Sequence, residues 1–375
     1  MKKGVWEVLK AALSIGLVAV LSAAVVFINT NNPNFSWKAD DIVDEAGGGN
    51  YIFDQKSRYK AYPYQNGAVV LGNKTLVGLS ENCSELFLHK VPYSNPQIVI
   101  SGKYILLYDA RGKDLMIIED GNVLRNIVTD TPIICATINK SGNFAVACDK
   151  IGYKGLVTVY DKDYKEYYKW YSAENYILSM SLSNDGKHMA ASTLKTDSDK
   201  VVGGILFFDL KKQNPESEFL CNEGLYLLIK YNDDSTVTAI GDRDAVVFDK
   251  KFVLKKQLPY EGKTLQYKAV SSSGLVVLGF FGKGKNTAFE VYDKNLNLLS
   301  TVNNENRIEL SCVDKNYLFL CDGRVVYVYN QNGGLVLEKN IGKDISSFAV
   351  INKNKIIALT TQNAQAVVLS GSEEE

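Results

Sequence analysis

From about residue 51 onward, apolar and polar residues alternate in short runs broken by Asn, Asp, Ser or Gly. A period of two places successive side chains on opposite faces of an extended strand, whereas an amphipathic helix needs a period near 3.6. No 12-residue stretch of this region carries a convincing helical period, so the pattern predicts an all-β domain. Residues 179–192 (SMSLSNDGKHMAAS) show the unit: an alternating run, an Asn-Asp-Gly-Lys turn and a second alternating run. Related hairpins recur at residues 137–147 (TINKSGNFAVA) and 269–279 (AVSSSGLVVLG).

A second marker is a closing strand that ends in an acidic or polar residue, at residues 155–161 (GLVTVYD), 204–209 (GILFFD), 244–249 (DAVVFD), 288–293 (AFEVYD) and 325–330 (VVYVYN). Residues 115–119 and 86–90 are weaker copies. The markers recur about every 30 to 50 residues, the period of a four-stranded blade in a ring-shaped β-propeller. One blade cannot bury both of its faces alone, so neighbouring blades must sandwich it and the ring must close. The count predicts eight blades over residues 51–370, with seven as the alternative if the weak first and last units belong together. The last unit, residues 346–369, holds three clear strands, and an early strand near residues 51–59 is expected to complete it. A pair of β-sandwiches explains the strands equally well but not the repeated YD, FD and YN endings.

The first 50 residues read differently. Residues 11–28 (AALSIGLVAVLSAAVVFI) carry no charge, and Val8 and Leu9 extend the apolar surface. About 20 helical residues cross a hydrocarbon layer, so residues 8–28 are expected to form a transmembrane helix. A cleaved signal peptide is the rival, but the apolar run continues through Val25, Val26, Phe27 and Ile28 beyond the small residues where cleavage would fall. Lys2, Lys3 and Lys10 precede the span and no basic residue follows it closely, which places residues 1–10 in the cytoplasm and the rest outside. Residues 29–50 read as an extracellular linker and residues 371–375 as an acidic tail.

Composition narrows the chemistry. The 42 basic and 42 acidic residues balance, so no net field draws the chain to nucleic acid. Two histidines, His89 and His188, and six cysteines with no CxxC pair match no zinc site, and no metal or cofactor is expected. No nucleophile elbow, P-loop or complete calcium loop is present, and neither histidine has a recognisable triad partner. If Ser141-Gly142 forms a two-residue hairpin loop, Cys135 and Cys148 face each other, as two buried thiols or as a cross-strand disulfide. The candidate binding surface is residues 164–171 (YKEYYKWY), where Tyr164, Tyr167, Tyr168, Trp170 and Tyr171 interleave with lysines. Such a strand either presents aromatic faces to a partner or packs one face inward.

The hairpin SLSNDGKHMAAS resembles the Ser-x-Asp-Gly-Lys hairpin of WD40-like and TolB-like propellers. The single N-terminal span, residues 158–192 (TVYDKDYKEYYKWYSAENYILSMSLSNDGKHMAAS) and the later blades resemble DUF5711, a family of uncharacterised proteins of Gram-positive, largely clostridial bacteria. The resemblance implies a membrane-anchored extracellular propeller and supplies no catalytic or ligand-binding residues. Taken together, the sequence favours a non-enzymatic binding or scaffold module in the cell envelope, with a protein or cell-wall partner. The alternative is an envelope enzyme that acts on glycan or peptide through carboxylates at the propeller channel.

Overall fold

A computed structural model of the chain describes residues 49–53, 58–197, 200–221, 224–233, 235–282 and 287–369. The expected transmembrane helix at residues 8–28, most of the expected linker and the acidic tail lie outside the described residues. The described residues form eight four-stranded antiparallel sheets. Seven blades use consecutive strands, within residues 60–90, 96–128, 133–172, 176–221, 226–259, 265–303 and 310–340. Blade 8 takes Ser347–Asn352, Lys355–Leu359 and Asn363–Val368, and its outermost strand is Asn50–Ile52 from the other end of the chain. The count is therefore eight, not seven, and the ring closes through the early strand that the incomplete last unit called for.

The core is distributed between blades rather than gathered at one centre. Eight apolar clusters each join residues of two neighbouring blades, and the one linking blade 8 to blade 1 contains Phe53, Tyr59, Val70, Ala349 and Ile357. Both faces of each sheet are covered, so the second and third strands read as nearly unbroken apolar runs such as GAVVL (Gly67–Leu71) and DAVVF (Asp244–Phe248). Outermost strands face solvent on one side and alternate, as in EYYKWYS (Glu166–Ser172).

The polar ending of each closing strand has a physical cause. It opens the turn to the outermost strand, and its side-chain oxygen accepts the backbone N–H two residues on, as Asp209 does from Lys211, and in four of the five blades also the one four residues on. Asp161 takes those of Asp163 and Lys165, Asp249 those of Lys251 and Val253, Asp293 those of Asn295 and Asn297, and Asn330 those of Asn332 and Gly334. The fourth turn residue is left-handed, with φ of 66° at Tyr164, 62° at Phe252 and 60° at Leu296. That conformation costs a bulky residue about 1–3 kcal/mol. Burial offsets the cost: Leu296 is fully buried, and Phe252 stacks on Phe207 with ring centroids 4.8 Å apart.

The first hairpins of neighbouring blades are also chained together. Asn139 Oδ1 accepts the N–H groups of Ser141 and Asn143 at 3.0 Å, while its Nδ2 donates to the Ser183 carbonyl of blade 4 at 2.7 Å. Asn139→Ala is expected to cost about 2–3 kcal/mol, because it strips a buried carbonyl and two N–H groups of partners. Denaturant titration reads the change directly, and Asn139→Asp, which restores only the acceptor, is expected to recover part of the loss.

The same turn corrects the expected cysteine geometry. The N–H of Asn139 donates to the Asn143 carbonyl and Gly142 has φ of 86°, so the loop holds three residues rather than two. The extra residue shifts the register by one and sends the two cysteines to opposite faces. Cys135 pairs with Ala147, whereas Cys148 pairs with Ile133 beyond a bulge. Both are free thiols, Cys135 in the cluster between blades 3 and 4 and Cys148 in that between blades 2 and 3. Burial pushes their pKa values up to about 12 and about 11, which keeps them unreactive.

Candidate functional site

Alternation splits the expected aromatic surface. Tyr168 and Trp170, 7% and 9% exposed, point into the cluster between blades 3 and 4, where Trp170 meets Phe208 edge-on at 5.0 Å. Tyr164 is the left-handed turn residue, half-buried against Phe144 with the Arg125 guanidinium over its ring at 5.2 Å. Tyr167 is partly exposed, but its hydroxyl donates to the Gly186 carbonyl at 2.8 Å. Tyr171 alone among the five joins a surface aromatic cluster.

That cluster is built largely by a loop the sequence reading passed over. Residues 150–153 make a tight turn, with the Tyr153 N–H donating to the Lys150 carbonyl. Gly152, at φ of 83° with nothing within 4 Å of where a Cβ would stand, permits the turn, which leaves Ile151 95% exposed at its tip. Tyr153 and Tyr171, 45% and 43% exposed, lie with ring centroids 5.1 Å apart. Tyr176, 45% exposed, opens the inner strand of blade 4, and Lys154 sits 4.8 Å over its ring while donating to its hydroxyl at 3.0 Å. Ile151, Tyr153, Lys154 and Tyr176 line a cleft of about 580 Å³ together with Pro132, Ile134 and Ile177, and Tyr171 lines a neighbouring depression. The available signal was the apolar content of KIGYK (150–154) in a loop with no core position to fill.

A long hairpin continues this surface. The blade 4 strands His188–Asp197 and Lys200–Asp209 have ten residues each, longer than any other strand described. Their paired ends, Lys195 to Val202, extend beyond the last rungs that bind the inner strand at Leu194 and the outermost strand at Gly203. Residues 194–197 and 200–204 are thus an extension of the blade itself. Lys195, held to Glu218 at 3.0 Å, lines two further depressions beside Tyr171 and Tyr176.

The second concave feature is the central channel. Inner strands of blades 2 to 6 and their turns surround a cavity of about 580 Å³. Among the described residues its wall contains one carboxylate, Asp233, gripped by Lys140 with both oxygens 2.7 Å from Nζ and by Asn184 Nδ2 at 2.9 Å. The converging carboxylate pair that the enzyme alternative requires is not found among the described residues of this wall. His89 stacks on Phe87 and bonds the Gly121 carbonyl, while His188 packs edge-on against Phe252. Asp185 is a turn residue that accepts from the Ser183 hydroxyl and the Lys187 N–H. No group of three or more His, Cys, Asp or Glu that could hold a metal occurs among the described residues.

Comparison with known proteins supports the architecture. BamB from Moraxella catarrhalis is similar over 87% of this chain and 98% of its own, with 14% identity and a TM-score of 0.53. The C-terminal WD40 domain of Sif2 is similar over 86% of this chain and 97% of its own, with 11% identity and a TM-score of 0.59. At such identities the likeness establishes the fold alone. A search of curated proteins finds no match. The family model for DUF5711, a family of unknown function, matches residues 50–369, from the ring-closing strand to the end of blade 8, and the chain belongs to that family.

Proposed function

We propose that this protein is a docking module, tethered to the cell membrane by residues 8–28 with its propeller outside, and that the aromatic cleft between blades 3 and 4 receives a protein or cell-wall partner. The carrying observation is the exposed cluster of Ile151, Tyr153 and Tyr176 at the cleft, with Tyr171 beside Tyr153. Aromatic side chains on rigid elements supply contact area at little entropic cost, which is why they anchor interfaces. The tether rests on the uncharged run at residues 11–28 and the lysines before it. The likeness to BamB and to a WD40 domain supports a rigid platform and identifies no partner.

Photo-crosslinking in growing cells tests the docking surface. With p-benzoylphenylalanine at position 153, a discrete adduct is expected that Ile151→Asp abolishes and that is missing when the probe replaces Val336, exposed on the outermost strand of blade 7. Equal adducts at both positions, or none at position 153, would overturn the reading. Sidedness is read from Lys250→Cys, an exposed position that an impermeant maleimide reaches in intact cells only if the propeller lies outside.

A further inference from the structure

The channel cavity carries a cation with no ion-pair partner among the described residues. Lys230, on the inner strand of blade 5, lines it and is largely withdrawn from water. Its ammonium donates to the carbonyls of Val270 at 3.1 Å and Ser271 at 2.8 Å on blade 6, two neutral acceptors for a group with three donors. No carboxylate lies within ion-pair distance of it among the described residues; the nearest charged pair on the wall, Lys140 and Asp233, satisfies itself. Burial lowers the Lys230 pKa, partly countered by Asp233. Taking an ammonium out of water without a counter-charge is costly, and the same enclosure strengthens its attraction for an anion.

The remaining wall specifies the rest of the ligand. Val99, Leu178, Leu228 and Val270 are only partly covered, and Leu227 is 51% exposed although it belongs to an inner strand. Ser179 and Ser181 add hydroxyl groups between them. The wall thus mixes apolar side chains with polar groups and carries, besides Lys230, the mutually paired Lys140 and Asp233; apolar lining combined with a few placed polar groups is the usual form of a small-molecule site.

We propose that the channel is a binding site for a small amphipathic carboxylate, its anionic head on Lys230 and its aliphatic body against Leu178, Leu227 and Leu228. This site is separate from the aromatic cleft and stands whether or not that surface docks a partner. The competing account is that Lys230 only ties blade 5 to blade 6.

The full-length chain, labelled with 13C at lysine Cε, tests the two accounts by titration with hexanoate and with its neutral counterpart hexanol; the Lys230 signal is identified by its loss in Lys230→Arg. Hexanoate is expected to move that signal saturably and to bind at least about tenfold more tightly than hexanol, as a charged hydrogen bond in an enclosed site implies. Lys230→Met is expected to weaken hexanoate by about tenfold or more, and Lys230→Arg to retain it. Equal binding of acid and alcohol, no saturable shift, or undiminished binding by Lys230→Met would overturn the proposal. If Lys230→Met fails to fold, the comparison of acid with alcohol on the unaltered protein decides alone.

Discussion

A chain that begins at Arg58 is expected to unfold at a much lower denaturant concentration than one that begins at Gly48. The two differ in the outermost strand of blade 8, whose residues Asn50, Tyr51 and Ile52 pair with Gln365, Ala364 and Asn363. They also differ in Phe53, which stacks on Tyr59 at 3.9 Å within the cluster that joins blade 8 to blade 1. Losing a buried phenylalanine alone costs about 3–5 kcal/mol. The loss of strand pairing adds to this, in a molecule whose net stability is typically about 5–15 kcal/mol. Both chains lack the N-terminal apolar run, so the difference reports ring closure and nothing else. Phe53→Ala in the longer chain is expected to reproduce about half or more of the effect. Indistinguishable midpoints would show that the sheet of blade 8 stands without its fourth strand.

Phe207→Ala is expected to be the most damaging single core substitution, at about 3–5 kcal/mol. Phe207 is fully buried on the third strand of blade 4, 4.8 Å edge-on from Phe248 and stacked at 4.8 Å on Phe252. Its removal leaves a cavity at the junction of blades 4 and 5 and withdraws the contact that offsets the left-handed backbone of Phe252. Phe252→Gly then tests the coupling. In the native protein it exchanges relief of backbone strain for lost packing, whereas in the Phe207→Ala background its cost should shrink by about 1 kcal/mol or more, as residues in contact rarely add. Full additivity in a double-mutant cycle would refute the account of strain balanced by stacking.

The fold was legible because its signals are local and repeated. Alternating runs, turn residues and polar strand endings need only the dihedral preferences of a few residues, and repetition over eight blades made a weak signal strong. Ring closure was also foreseeable, since a three-stranded last unit leaves an edge that something must cover. The cysteine pairing was not foreseeable, because one additional residue in the loop of residues 140–142 reverses which face each thiol occupies. The aromatic surface was partly legible for the same reason. YKEYYKWY marks an amphipathic outermost strand, but sequence does not say which of its faces meets the next blade.

The sequence by itself determined the class of fold, the blade count within one, the polar caps of the turns and the lack of any recognisable catalytic motif, all of which follow from neighbours along the chain. Tertiary structure alone decided that Ile151, Tyr153 and Tyr176 meet at one cleft with Tyr171 beside Tyr153, and that the described residues of the channel wall present Lys230 rather than a pair of carboxylates. Those arrangements depend on how successive blades are turned about a common axis, and on one-residue shifts of register within them. Neither quantity leaves a periodic trace in the sequence, because a side chain's neighbours across a blade interface are set by packing between segments some 40 or more residues apart, as Lys230 is from Val270 and Ser271.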